Sequence, residues 1–265
     1  MTNTTLRSSE GPASLRSTSL HLRRIDVHTH TGAMPLLTRE ASAEALERIE
    51  REAGTEKAIV SSARGVFYDM VLGNEETFAI TRRSSMLYMY IYVDPLRLAE
   101  SLVEIDRYAG QPHVAGIKTR PGYHQVAGDS DACLVLYRHA HQYDLPLLAH
   151  AYSLREVSEL RRAADATGLK IILAHMGAGE WKESVDACRG CKSVWLDACT
   201  SVNEYDKIGY AIDELGISHL VYGTDATLLS PWWTIAMFES AGLSDAEKHA
   251  VYRDNALGIF GKRLG

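Results

Sequence analysis

Arg24-Ile-Asp-Val-His-Thr-His30 is a short apolar run that closes on two histidines two residues apart. Four more runs close in the same way. Val114-Ala-Gly-Ile117 is followed by Lys118, Leu145-Pro-Leu-Leu-Ala149 by His150, Ile171-Ile-Leu-Ala174 by His175, and Leu220-Val-Tyr222 by Gly223-Thr-Asp225. Each run reads as a buried strand, and each polar residue stands at its C-terminal end or just past it. Strand ends of one sheet lie together in space however far apart they are in sequence. A parallel barrel therefore gathers His28, His30, Lys118, His150, His175 and Asp225 in one mouth, and imidazoles with a carboxylate there are metal chemistry.

Working outward, strand-like runs alternate with helical patterns eight times. The strands are expected at 25–28, 57–60, 87–93, 114–118, 145–149, 170–174, 193–197 and 219–222. Helices are expected at 42–53, 74–83, from Asp94-Pro95 onward, at 131–142, and from the capping box Ser153-Leu-Arg-Glu156 to Gly168. Further helices are expected at 179–188, after a second box Ser201-Val-Asn-Glu204, at 231–240 and at 245–259, the last opened by Ser244-Asp-Ala-Glu247. Continuous apolar strands with short connections imply a parallel sheet covered on both sides, and eight units are the number that closes a barrel. An open doubly wound sheet lacks the Gly-rich turn after the first strand that dinucleotide binding needs. The fold expected is α/β, a (β/α)8 TIM barrel in a single domain over 23–265. Residues 1–22 are rich in Ser, Thr and Arg, lack an apolar core, and read as a disordered extension rather than a secretory signal.

Composition narrows the function. A net charge of −6 and a pI near 6.0 argue against nucleic acid and anionic membranes as partners. No run approaches the roughly 20 apolar residues that span a bilayer. Four cysteines in 265 residues are not a disulfide framework, which points to a reducing, cytoplasmic setting. Cys188-Arg-Gly-Cys191 has a metal-knuckle spacing but no second pair, so two ordinary thiols at a helix end are the better reading.

His28 and His30 share a strand face and can clamp one divalent ion. A lone buried histidine more often just hydrogen-bonds a neighbour, and Asp225 alone could be a turn or cap residue. The order His-x-His, His, His, Asp on strands one, five, six and eight is much harder to obtain by chance.

With these residues the chain resembles the amidohydrolase superfamily, and within it the metal-dependent branch that includes aminocarboxymuconate-semialdehyde decarboxylase. The matching stretches are Ile25-Asp-Val-His-Thr-His30, Gly116-Ile-Lys118, Leu148-Ala-His150, Leu173-Ala-His-Met-Gly177, Tyr222-Gly-Thr-Asp225 and Asn255-Ala-Leu-Gly-Ile-Phe260. The resemblance implies one divalent metal, most often zinc, held by His28, His30, His150 and Asp225. It implies His175 beside the metal as acid/base or electrostatic residue, and Asp225 as a proton carrier as well as a ligand. A metal-activated water is then the nucleophile. In two-metal members a lysine at the end of the fourth strand is carbamylated and bridges the ions, with His175 binding the second. In the resembling branch Gly-Ile-Lys often occurs without carbamylation, which favours one metal and leaves Lys118 to the substrate.

Around this set stand weaker candidates. Lys118 and Arg120 together suit a substrate carboxylate. A lysine reaching solvent and an arginine in a rim ion pair are the plain alternatives. Tyr152, Tyr123 and His124 are candidate pocket walls. Asp197 and Cys199 end the seventh strand, where a barrel-layer or loop role is the better reading. Trp232 and Trp233 suit either an aromatic wall or helix packing.

The function expected is a metal-dependent hydrolase acting on an amide, lactone or related C–N or C–O bond of a small, carboxylated molecule. The alternative is a non-oxidative, metal-dependent decarboxylase of an aromatic or muconate-type acid. The partner expected is a small-molecule substrate, with a homodimer the common default.

Overall fold

The computed structural model describes residues 22–33, 41–200, 202 and 204–265. The candidate tail lies outside the described residues except for Leu22. The strands are β1 Arg24–Thr31, β2 Thr55–Ser62, β3 Leu87–Tyr92, β4 Val114–Thr119, β5 Leu147–His150, β6 Ile171–Ala174, β7 Val194–Asp197 and β8 Leu220–Val221. They pair in chain order, every pair parallel. The ring closes between β8 and β1, where Val27 N donates to Tyr222 O at 3.0 Å and Asp225 N to His28 O at 2.8 Å. The architecture is the (β/α)8 TIM barrel.

Two apolar layers hold it. Inside the barrel Ile25, Val27, Ile59, Leu148, Ile172 and Val221 pack together, and Phe260 and Leu264 join them from the C-terminal segment. The outward strand residues, such as Ile91, Ile117, Leu147, Leu173 and Leu196, pack against the helices. With both faces buried, the strands have no reason to alternate polar and apolar residues. The interior polar residues collect at the C-terminal strand ends.

The helices are α1 Ala43–Glu52, α2 Ala63–Phe67, α3 Met70–Thr81, α4 Leu98–Tyr108, α5 Asp131–Gln142, α6 Leu154–Thr167, α7 Trp181–Ala187, α8 Lys207–Leu215, α9 Pro231–Ser240, α10 Asp245–His249 and α11 Asn255–Phe260. Several expected boundaries move. The helix expected from Asn74 begins at Met70, capped by Asp69, because Asn74 instead clips the helix to β3 through the N–H and C=O of Tyr92. Ser153 caps α6, but Glu156 accepts from Tyr152 N at 2.6 Å, so the expected reciprocal box is half made. Ser244 and Glu247 form the full box. Ser201 falls outside the described residues, and α8 starts at Lys207 after the left-handed Asp206. The helix expected at 179–188 is Trp181–Ala187, preceded by a tight 3-10 stretch. The helix expected at 245–259 is broken in its middle by a wider π-turn at Ala250–Asp254. No described helix is long and apolar enough to cross a membrane.

Glu50 on α1 is completely buried beside Asp26, and burial pushes its carboxyl up to about 7 from 4.5. A carboxyl whose pKa rises on folding contributes stability that is present below its unfolded pKa. That contribution is lost as pH climbs from about 4.5 to about 7. Glu50→Gln is therefore expected to flatten this fall. Urea unfolding should show the variant equal to wild type near pH 4.5 and more stable by about 1–3 kcal/mol near pH 8.

Candidate metal centre

β1 carries the first two donors to the mouth, and its pairing with β2 slips between Asp26 and Thr29. His28 and His30 end up facing each other, with Nε2 atoms 3.3 Å apart. Asp26 lies beneath them and staples the barrel closure. Its Oδ1 accepts from His28 N at 2.9 Å and from Thr224 N at 3.2 Å, and Thr224 Oγ1 donates to its Oδ2. This fixes the turn after β8, where Asp225 adopts a left-handed backbone at φ 59°. Asp225 Oδ1 then lies 3.5 Å from His28 Nε2 and 3.3 Å from His30 Nε2.

The far side of each ring decides what faces the mouth. His28 Nδ1 donates to Asp197 Oδ2 at 2.7 Å, and His30 Nδ1 to Ser61 O at 3.1 Å. With the protons on Nδ1, both Nε2 atoms present lone pairs. Burial, and after it the neighbouring cationic and imidazole side chains, hold both rings well below the ordinary histidine range, so they are neutral. Asp225 Oδ1 is buried without a hydrogen-bond donor. The Lys118 ammonium, 3.0 Å from His28 Nε2, is the one protein donor at these atoms among the described residues, and the lone pairs of two nitrogens and one carboxylate oxygen, all within 4.8 Å of one another, are the kind of set a divalent cation takes. The donor set fits a metal ion.

His150 lines the same cavity, but it is not part of that compact group. Its ring stacks on Tyr152 at 5.5 Å and meets His175 edge-on at 4.8 Å, and its buried Nδ1 has no partner. His175 opens a run of left-handed residues after β6, with φ of 70° at His175, 51° at Met176 and 77° at Gly177. The chain turns here so tightly that a Cβ on Gly177 would stand 2.0 Å from Ser184 Oγ. Strained conformations at His175 and Asp225 are where site residues are expected to be over-determined by their surroundings. His175 Nδ1 donates to Cys199 O at 2.8 Å, and burial lowers the ring to about 4, so a neutral ring offers Nε2 to the cavity.

Lys118 is buried, with Nζ 3.0 Å from His28 Nε2. The reading of a strand-end lysine in solvent is thereby corrected. Burial lowers its ammonium to about 8, Asp225 opposing. Arg120 is likewise not in a rim ion pair, for no described carboxylate lies against it. Its guanidinium sits 3.6 Å from the Tyr123 ring centre and 4.9 Å from that of Phe67. These stacked rings hold the charge toward the cavity without neutralising it.

The resulting cavity has a volume of about 210 Å³. It is lined by His28, His30, Lys118, Arg120, His150, Tyr152, His175 and Asp225, joined by Tyr123, Phe67 and Leu228. Other candidates stand apart. His124 bonds Tyr92 Oη at 3.1 Å and is not a wall. Trp232 and Trp233 are half-exposed on α9 and line no part of the cavity. Cys188 and Cys191 are buried free thiols outside the described metal-donor groups.

Asp197 has a larger part than the barrel-layer or loop role expected of it. It is wholly buried at the end of β7 and touches His28 rather than filling a barrel layer. Its signal was the one the histidines carried, a polar residue ending an apolar run. Phe67 and Leu228 come from segments with no such signal.

The family model described as Amidohydrolase matches residues 25–262. The chain belongs to the amidohydrolase family. No curated protein matches it in sequence. Among solved structures, this amidohydrolase is similar to a 2,6-dihydroxybenzoate decarboxylase from Rhizobium at TM-score 0.73 and 12% identity, covering 90% of this chain and 98% of the other. A probable 2-pyrone-4,6-dicarboxylic acid hydrolase from Acinetobacter baumannii, with citric acid bound, matches at TM-score 0.67 and 13% identity over 90% and 99% of the two chains. A dihydroxybenzoic acid decarboxylase from a Polaromonas species, with bound manganese and the inhibitor 2-nitroresorcinol, matches at 0.69 and 15% over 90% and 97%. These likenesses concern the barrel, and both hydrolases and decarboxylases are among them.

Proposed function

We propose that this amidohydrolase is a metal-dependent hydrolase of an amide, lactone or related C–N or C–O bond in a small carboxylated substrate. The observation that carries the reading is one cavity that brings two kinds of group side by side. It presents the lone pairs of His28, His30 and Asp225, and beside them the Lys118 ammonium, 3.0 Å from His28 Nε2, and the Arg120 guanidinium over the Tyr123 ring, with no carboxylate in salt-bridge contact with either cation among the described residues.

His28, His30 and Asp225 would hold the ion, with His150, which lines the same cavity, as the fourth ligand, and zinc is the metal that suits such a set. When bound, the ion supplies a Lewis acid and water acidified to near neutral pH. The remaining work belongs to the chain. Arg120, its guanidinium 3.6 Å from the Tyr123 ring centre and 4.9 Å from that of Phe67, binds the substrate carboxylate in a fork, and Lys118 adds a point charge. Tyr152, stacked on His150, forms the outer wall. His175 Nε2, an acceptor because its proton is on Nδ1, orients the attacking water. Asp225 accepts the proton that water loses on attack and returns it to the leaving nitrogen or oxygen. The four cysteines are buried and free, in accord with a reducing cytoplasm.

The second reading, a decarboxylase, is favoured by the Phe67, Tyr123 and Tyr152 rings, which suit a planar aromatic acid. Products separate the two. Incubation with candidate pyrone and lactone carboxylates and with hydroxybenzoates in ¹⁸O-water is expected to give one ¹⁸O per product and no carbon dioxide. Carbon dioxide released in step with turnover, without ¹⁸O, would establish the decarboxylase instead.

Lys118→Ala is expected to keep one ion per chain by elemental analysis and to raise KM for the carboxylated substrate. Loss of about half the metal from a two-ion wild type would replace this reading by a carbamylated Lys118 bridging two ions.

A further inference from the structure

Asp197 is a carboxylate in the barrel interior with no lysine or arginine within salt-bridge reach among the described residues; its ionisable hydrogen-bond partners are His28 and the Cys199 thiol. Taking a carboxylate out of water is expensive, and such a group persists where its hydrogen bonds are needed. Both oxygens are committed. Oδ1 accepts from Cys199 N at 2.8 Å, which closes the turn after β7. Oδ2 lies 2.7 Å from His28 Nδ1, and the Cys199 thiol also approaches it at 3.1 Å.

The neighbouring strand is cut to fit. A Cβ on Gly223, just after β8, would stand 2.6 Å from Asp197 Cγ, 2.7 Å from Oδ2 and 2.8 Å from Oδ1. Real Cβ atoms do not approach so closely, and Gly223 does not have a left-handed backbone that would by itself call for glycine. The space at Gly223 is the space the carboxylate occupies.

From this geometry we infer that Asp197 is the positioning residue of the metal centre. It fixes His28 as the Nδ1–H tautomer and turns Nε2 toward His30 and Asp225, and Gly223 is the notch that lets it do so. The inference rests on the metal reading of the site given above. Carboxylate partners of ligating histidines typically contribute 10- to 100-fold in metal affinity.

Asp197→Asn is a sharp probe because an amide cannot serve both partners. Cys199 N–H is an obligate donor and claims the amide oxygen. The amide NH₂ then faces His28 Nδ1, which must become the acceptor. The ring proton moves to Nε2, where it points at the metal position.

The test uses the full chain stripped of metal and titrated with zinc against a chromophoric chelator. The zinc Kd is expected to rise about 10- to 100-fold in Asp197→Asn, and by a similar factor in Gly223→Ala, while the stripped Asp197→Asn protein keeps the wild-type unfolding temperature and Gly223→Ala, which crowds the carboxylate, unfolds lower. In parallel, ¹⁵N NMR of the stripped wild type is expected to show His28 protonated on Nδ1. This second measurement needs no variant and decides the matter should Asp197→Asn not fold. An Nε2–H tautomer in the wild type overturns the inference, as does wild-type zinc affinity in a folded Asp197→Asn. A wild type that binds no zinc overturns the metal reading itself, a result distinguishable because the wild-type control then fails along with both variants.

Discussion

His28→Ala is expected to strip the metal from this amidohydrolase and abolish turnover together. Nε2 of His28 is the common element of the site, 3.3 Å from His30 Nε2, 3.5 Å from Asp225 Oδ1 and 3.0 Å from Lys118 Nζ. Removing it leaves two donors of the compact group and unseats the partner carboxylate of Asp197. The loss in affinity should exceed the 10- to 100-fold typical of losing a residue that only orients a ligand. The ion's share of charge stabilisation is worth several kcal/mol, so turnover should fall by about 10³-fold or more. The barrel itself should survive, because Ile25 and Val27 make the interior contacts of β1. Thermal unfolding of the metal-free variant should therefore stay cooperative, at a lower temperature than metal-free wild type because Asp197 loses its buried partner. Elemental analysis and turnover, measured on the same preparation, check the expectation. A His28→Ala protein that retains metal and activity, or a wild type fully active after exhaustive chelation, defeats the assignment.

What could be read from the chain follows from the physics of a buried parallel barrel. Strands covered on both faces are continuous apolar runs, so the polar residue that ends one stands out. His28, Lys118, His150, His175 and Asp225 were legible for that reason, and the structure places all of them on one cavity. Asp197 ends its strand in the same way, yet one carboxylate after Val194-Trp-Leu196 carries no hint of the ring 169 positions earlier that it meets. Phe67 was illegible for another reason. It lies on a five-residue helix wedged between β2 and α3, a segment too short to announce itself by periodicity. Arg120 lay between two readings because sequence spacing does not say whether an acid waits beside it. The two rings that stack on it answer the question only in three dimensions.

The second large effect concerns His175, whose replacement separates chemistry from metal binding. His175→Ala is expected to leave the bound metal unchanged and to lower kcat by about 10²- to 10⁴-fold, the range for losing a positioned proton-transfer group. KM should change little, because the residues proposed to bind the substrate carboxylate are Lys118 and Arg120 and not His175. Backbone strain does not confuse the comparison. Histidine and alanine both carry a Cβ, so the left-handed geometry at φ 70° costs both about the same. The loss to be measured is therefore that of one ring whose Nδ1 is committed to Cys199 O and whose Nε2 is free to act. Metal content, kcat and KM together distinguish the roles open to this residue. Halved metal makes His175 a ligand of a second ion, as the carbamate-bridged arrangement requires. Unchanged kcat with unchanged metal leaves it a structural brace of the turn after β6. A lowered kcat with full metal places its Nε2 at the reacting atoms.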